Sequence, residues 1–326
     1  MPLRLLSGMR PTGRLHLGHL VGALDNWLKL QERYDCLFLV ADWHALTTGY
    51  ADTSELQNNT VEMALSWRAI GIDFSRSVVF LQSDVKEHAE LHLLFSMVTP
   101  MAWLERDPTL KTMLQDMQIK TVSYGLMGYP VLQAADILVY KAGAVPVGID
   151  QVPHIELARE IARSFNRHFR QVFPEPEALL TVAPRLLGPD GKKMSKSLGN
   201  CIYLDDPPDA ILKQVMQLVT DPAKVHATDP GDPDICSVQD YHKIFSPADV
   251  LEHDAACREG RLGCVKHKKY IAEVLANYLK PYRESRQVLR GQEEETIRML
   301  KEGAERARAI ASATMAEAKR AVRMGI

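Results

Sequence analysis

The sequence predicts an α/β protein in which helices cover a parallel sheet, followed by a helical C-terminal region. Two observations carry this. Short runs that are apolar throughout alternate with helical patterns in the first half of the chain, as in sheets buried on both faces. Beyond Asn200 the strand-like runs stop and apolar residues recur at helical spacing.

In order, Leu3, Leu5 and Leu6 mark a strand that breaks at Ser7-Gly8, and a turn follows through Pro11-Thr12-Gly13. His16-Leu17-Gly18-His19 then opens a helical pattern at Leu20, Val21, Leu24, Trp27 and Leu28. A strand, loop and helix start in succession form an anion site, because free N–H groups and the helix dipole point at the loop. Cys36 to Ala41 reads as a buried strand, Leu56 to Ile70 as a helix and Val78 to Leu81 as a strand. Ligands on parallel sheets bind at the carboxyl ends of the strands, so His44, just after the second strand, is a pocket residue; the alternative is an Asp42 cap beside a packed His44. The stretch 87–124 is helical but interrupted by Pro100 and Pro108. On a helix, Tyr129, Gln133 and Asp136 fall at i, i+4 and i+7 on one face, and Asp136 among Ile, Leu, Val and Ala is costly to bury without a donor. Later, Pro207-Pro208 starts a helix, 229–234 is rich in turns, and 270–279 and 293–322 are helical.

A chain of 326 residues suggests about two domains, and its 46% apolar and 25% charged residues are those of a soluble globular protein. No run approaches the ~18 apolar residues of a membrane span, and no export signal is legible. Five cysteines without such a signal argue for reduced thiols in the cytoplasm. The net charge of -2 hides a division: from Arg258 onward 16 Lys+Arg face 9 Asp+Glu, a balance of +7 that leaves -9 for the rest. The basic end suits a phosphate backbone.

The glycine-bounded stretch Gly188 to Asn200 carries Lys192, Lys193 and Lys196 with the hydroxyls of Ser195 and Ser197. Alone it is a solvated basic loop. Paired with the upstream H-x-G-H, it resembles the signature pair of class I aminoacyl-tRNA synthetases, Lys193 to Ser197 being KMSKS letter for letter. With SGMRPTG, DWHALTT, YPVLQAADILVY and VPVGIDQ in the same order, the whole chain resembles the bacterial tryptophanyl-tRNA synthetases.

That resemblance implies a Rossmann-like catalytic domain over 1–183, with 87–124 as a connecting insertion at a homodimer interface. It implies a signature loop and linker over 184–203 and a helical anticodon-binding domain over 204–326, whose last helix folds back on the first domain. The implied reaction is ATP-dependent attachment of L-tryptophan to tRNA(Trp) through a tryptophanyl-adenylate, with Mg²⁺ and no membrane partner. By resemblance His16, His19, Lys193 and Lys196 are catalytic. Arg10, Pro11, Thr12, Gly18 and His19 line the ATP site with Met194, Ser195 and Ser197; Gly148, Ile149 and Asp150 hold the ribose, and Leu186 borders the adenine. Asp136 receives the indole N–H, Tyr129 and Gln151 meet the amino-acid end, and Leu6, Ser7, His44 and Gln133 complete the pocket. Some members have Gln, Met and Phe where Arg10, Gln133 and Leu6 stand. The alternatives are the tyrosyl enzyme, an H-x-G-H nucleotidyltransferase acting on a small metabolite, and a non-catalytic paralogue, in which damaged signatures are expected.

Cys236, Cys257, Cys264 and His267 form C-x20-C-x6-C-x2-H. Some bacterial members of the family carry a fourth cysteine at the last position and bind a four-iron cluster. Three Cys and one His also suit zinc. The preferred reading is that the site has decayed and holds no metal.

Overall fold

The computed structural model describes residues 3–116, 119, 121–180 and 186–325. The chain divides into two compact units. One comprises 1–13, 26–182 and 291–326; the other comprises 14–25 and 183–290. The division expected from the sequence was simpler: the structure groups the histidine-bearing turn with the C-terminal helices, and the last helix with the sheet.

The first unit is built on five parallel strands, β1 (Arg4–Met9), β2 (Asp35–Val40), β3 (Val78–Leu81), β4 (Ala144–Val147) and β5 (Glu177–Leu180), in the order β3-β2-β1-β4-β5. The register pairs Leu6 with Leu37, Leu39 with Phe80, Leu5 with Ala144 and Val145 with Ala178. β2 is buried almost throughout and is the apolar run seen in the sequence. β4 and β5, at four residues each and interrupted by Pro146 or flanked by acidic residues, were not legible there. Strand order reverses between β1 and β4. An open parallel sheet binds its ligand at such a switch point, beyond the carboxyl ends of the strands.

Helices Leu56–Ile70, Glu87–Ser96, Tyr129–Val139 and Val152–His168 flank the sheet, and Trp27, Phe38 and Trp67 are fully buried together. The insertion resolves into Glu87–Ser96, Met101–Arg106 and Pro108–Asp116, broken at the two prolines. The 29-residue helix Glu293–Ala321 lies on β3 through a face of small residues, Gly303, Ala304, Ala307 and Ala311. A Cβ on Gly303 would stand 1.8 Å from the Val79 carbonyl oxygen, so this contact is backbone against backbone.

The second unit is helical: Pro208–Val215, Ser237–Phe245, Val250–Arg258, Cys264–Tyr278 and Lys280–Val288. Its interior holds Ile211, Val215, Val238, Tyr241, Ile271 and Leu275. The expected helix 270–279 begins earlier, at Cys264, because Gly263 breaks the chain with an extended conformation just before it. No helix of the described residues is long and apolar enough to cross a membrane.

Candidate active site

In the first unit the predicted pocket residues come from the carboxyl ends of neighbouring strands. Leu6 and Ser7 lie on β1, with Leu6 buried, and Arg10, Pro11 and Thr12 follow it. His44 lies in the helix Asp42–Gly49 after β2, Gln82 follows β3, and Gly148, Ile149, Asp150 and Gln151 follow β4. Gly148 has no room for a side chain without displacing the Asp150 carboxylate, whose oxygen would meet its Cβ at 2.6 Å. Ile149 and Asp150 are exposed.

Asp136 sits at the centre, 3% exposed, on the helix Tyr129–Val139. The donor that its burial demanded is present three times over. Gln82 Nε2 donates to both oxygens at 2.8 and 2.9 Å, His44 Nε2 lies 2.8 Å from Oδ2, and His88 Nδ1 lies 2.6 Å from Oδ1. Burial alone would raise this carboxyl, but His88 and His44 bring it down to about 2. It is an ionised acceptor at neutral pH. The far nitrogen of His88 meets the Tyr140 hydroxyl at 2.7 Å, which fixes the ring.

Tyr129, two turns away on the same helix, bonds through its hydroxyl to His154 Nε2 at 2.7 Å. His154 Nδ1 contacts Gln151 Oε1 at 3.1 Å, and its Nε2 lies 3.1 Å from Asp107 Oδ2. Burial raises the Tyr129 phenol well above its ordinary value, with Asp107 adding to the shift and Arg10 opposing it. The His44 and Tyr129 rings stand edge to face at 6.3 Å, so the two polar groups share one wall of the pocket. Gln133 is half-buried on the same helix. The sequence reading missed Gln82, His88, Asp107 and His154. Their signal, polar residues directly after β3 and at starts of helices, was present but diluted among many others of its kind.

The second unit joins the two signatures. Leu17 N–H donates to the Ile202 carbonyl, Leu204 N–H donates to the Leu15 carbonyl, and His16 bridges Tyr203. The histidine turn is thereby stitched to the chain that leaves the lysine loop. His16 caps the short helix Leu17–His19: its Nδ1 accepts from Gly18 N–H at 3.1 Å, while His19 Nδ1 accepts from His16 N–H at 3.2 Å. A Cβ on Gly18 would meet the His16 ring at 3.0 Å, so the glycine permits the cap. The helical pattern continues as a π-helical stretch, Leu20–Leu24, before Asp25–Leu30, an irregularity frequent at functional sites.

Burial, with Lys196 nearby, brings His16 down to about 4; burial, His16 and Lys196 bring His19 down to about 3. Both rings are neutral at neutral pH. Since each Nδ1 accepts a backbone N–H, the ring proton resides on Nε2, and each histidine keeps one N–H donor.

The lysine loop is held by Asn200, 5% exposed. Its Oδ1 accepts from Ser195 N–H at 2.7 Å, and its Nδ2 donates to Asp190 Oδ1 at 2.7 Å and to the Lys193 carbonyl at 3.2 Å. Leu187 bridges Lys193, and Gly199, at φ 64°, closes the turn Lys196–Leu198. Met194 and Leu186 are buried, Lys193 is exposed, and Ser195 and Lys196 are half-buried. The Ser197 side chain lies outside the described residues.

Cys236, Cys257, Cys264 and His267 all lie in the second unit. Burial raises the Cys236 and Cys257 thiols, keeping them protonated, and each feels the charge of Cys264. Among the described residues, the one grouping of three metal-type ligands whose atoms lie within 4.8 Å of one another is His242, His253 and His267. His267 therefore packs with two histidines that the cysteine spacing gave no reason to connect to it.

Comparison with known proteins places this geometry. The family of class I tRNA synthetases for tryptophan and tyrosine (W and Y) matches residues 1–280, and the chain belongs to it. Within that family it is similar to a tryptophan--tRNA ligase of Thermotoga maritima, 48% identical over 99% of both chains, and to one of Aquifex aeolicus, 42% identical over 99% of this chain and 100% of the relative. Among solved structures it is similar to the tryptophanyl-tRNA synthetase of Campylobacter jejuni complexed with ADP and tryptophan, with a TM-score of 0.87, 34% identity, and coverage of 99% of this chain and 100% of that one.

Proposed function

We propose that this protein is a tryptophan–tRNA ligase. It condenses L-tryptophan with ATP to tryptophanyl-adenylate and pyrophosphate, then passes the tryptophanyl group to the terminal ribose of tRNA(Trp) and releases AMP. The observation that carries the reading is the stitching of the H-x-G-H turn to the KMSKS loop through Leu17–Ile202 and Leu204–Leu15, two stretches far apart in sequence held as one body.

In the amino-acid pocket, Asp136 accepts the indole N–H. Its oxygens are already served by Gln82, His44 and His88, so the indole takes the place of the outermost donor, His44. The carboxylate stays ionised throughout because His88 remains. Tyr129 and Gln151, both tied to His154, face the amino-acid end, with Leu6, Ser7 and Gln133 lining the ring. Arg10, Pro11 and Thr12 after β1, and Gly148, Ile149 and Asp150 after β4, flank the switch point and serve the nucleotide. The other residues that the resemblance gives to the nucleotide, Leu186, Gly18, Met194, Ser195 and Ser197, belong to the second unit.

The carboxylate of tryptophan attacks the α-phosphorus, the bond to the β-phosphate oxygen breaks, and pyrophosphate leaves with that electron pair. No protein nucleophile is required, and positioned donors and cations supply the catalysis. His16 and His19, neutral and each bearing an Nε2–H, donate to the phosphate without adding a proton to be lost. Lys193 and Lys196 balance the charge that develops on pyrophosphate. The described residues hold no carboxylate trio arranged for Mg²⁺. Mg²⁺, which the resemblance implies, would offset the charge of the triphosphate, and no step of the chain's own residues passes through it.

The helical second unit docks the anticodon arm through its stretch 258–290, where nine Lys+Arg face three Asp+Glu, and the insertion supports a homodimer in the cytoplasm. Incubation with labelled tryptophan, ATP and tRNA tests the whole reading: acid-precipitable tryptophan on tRNA(Trp) is the expected result, and its absence with fully folded protein would refute it.

A further inference from the structure

The helices Ser237–Phe245, Val250–Arg258 and Cys264–Tyr278 each contribute one histidine to a common point. The ring centroids of His242 and His253 stack at 4.4 Å, and those of His267 stand 5.3 and 5.1 Å from them. His242 is fully buried and His267 is 4% exposed. Both ring nitrogens of His242, Nδ1 of His253 and Nε2 of His267 are sealed from solvent with no hydrogen-bond partner. Buried polar atoms are otherwise almost always paired, and here three histidines, each with a sealed ring nitrogen, bring one ligand nitrogen apiece within 4.8 Å of the others.

We infer that His242, His253 and His267 form a binding site for one divalent transition metal ion, zinc above all, that ties the three helices together. Imidazole nitrogen is a ligand of choice for zinc, and three histidines with a fourth position left to an oxygen ligand make a recognised tetrahedral set. With Zn–N bonds of about 2.0–2.1 Å, ligand nitrogens stand about 3.4 Å apart, so the rings close in from their present separation within 4.8 Å by small side-chain rotations. The surroundings suit a bound cation. Asp249 and Asp254 both act on His242 electrostatically, and Asp249 is fixed by the hydroxyls of Ser246 and Tyr270. The Tyr270 ring lies 4.8 Å from that of His253 and closes one side. The three cysteines take no part.

The test uses the full-length protein, stripped with chelator, dialysed against zinc and passed through gel filtration. The expected result is one retained zinc per chain by elemental analysis, a raised melting temperature, and tetrahedral-type visible bands when Co²⁺ replaces zinc. His253→Gln, at a half-exposed position that tolerates substitution, and His267→Asn should lose the retained metal and the thermal shift. Cys236→Ser and Cys264→Ser should keep both. Wild-type protein that retains no zinc and shows no thermal shift would overturn the inference. So would metal binding that survives His253→Gln and disappears with Cys264→Ser.

Discussion

His44 Nε2 lies 2.8 Å from Asp136 Oδ2, joining a residue that follows β2 to one on the helix before β4. The same carboxylate also accepts from Gln82 Nε2 and lies 2.6 Å from His88 Nδ1, so His44 is one of three partners in a buried cluster.

Removing the two partners therefore has different consequences. Asp136→Ala orphans His88 and Gln82 in the interior, and breaking such a buried charged network costs about 3–5 kcal/mol in stability. His44→Gln keeps a donor at the pocket's edge. It should leave the melting temperature nearly unchanged while lowering the KM for tryptophan, because the indole then displaces a weaker competitor from Asp136, with the KM for ATP unaffected. A His44→Gln enzyme with unchanged tryptophan KM would remove His44 from the pocket.

Lys196→Ala should lower the rate of adenylate formation by about 10²–10³, the scale of one lost preorganised contact to the transition state. Tryptophan affinity should hold. Single-turnover quench-flow checks this, and a variant with normal adenylate formation would contradict the role.

The neutral histidines make stability depend on pH. His16 titrates at about 4 and His19 and His267 at about 3 when folded, burial being the main cause, whereas an unfolded histidine titrates near 6.5. As pH falls below 6.5 the unfolded chain gains protons that the folded rings refuse, so stability is full above that value and declines towards pH 4. Each ring contributes a slope of at most about 1.4 kcal/mol per pH unit. Urea midpoints should therefore be lower at pH 5 than at pH 7.5, and His19→Gln should shrink the difference. Equal midpoints at the two pH values would contradict the neutral rings.

Gly303→Val places a branched side chain against the Val79 carbonyl and should destabilise the protein by about 1–3 kcal/mol or more, as overpacking does. Differential scanning calorimetry reads this directly. An unchanged melting temperature would mean that the last helix does not press on β3.

Much of the site was legible because its residues sit in dense local patterns. His16, Gly18 and His19 announce a capped helix start after a turn, and Asp136 stands out as a charge on an otherwise apolar helix. The helices 56–70 and 293–321 and the strand 78–81 followed from periodicity. What stayed hidden depends on contacts distant in sequence. Gln82 and His88 are ordinary polar residues until the helix 129–139 brings Asp136 between them, and β5, half-exposed at the sheet edge, carries no apolar alternation. The surroundings of His267 were hidden for the same reason. Spacing along the chain joined it to Cys264, while the packing of three helices turned its ring towards His242 and His253.

The most direct measurement is ATP–pyrophosphate exchange with each of the twenty amino acids in turn. Tyrosine and phenylalanine bring no indole N–H to take His44's place on Asp136, and a site that hydrogen-bonds its substrate rejects an analogue lacking that group by up to roughly 10⁴–10⁵. Exchange should be strong with tryptophan and at most feeble with tyrosine or phenylalanine; exchange driven by tyrosine, or by no amino acid, would contradict the assignment.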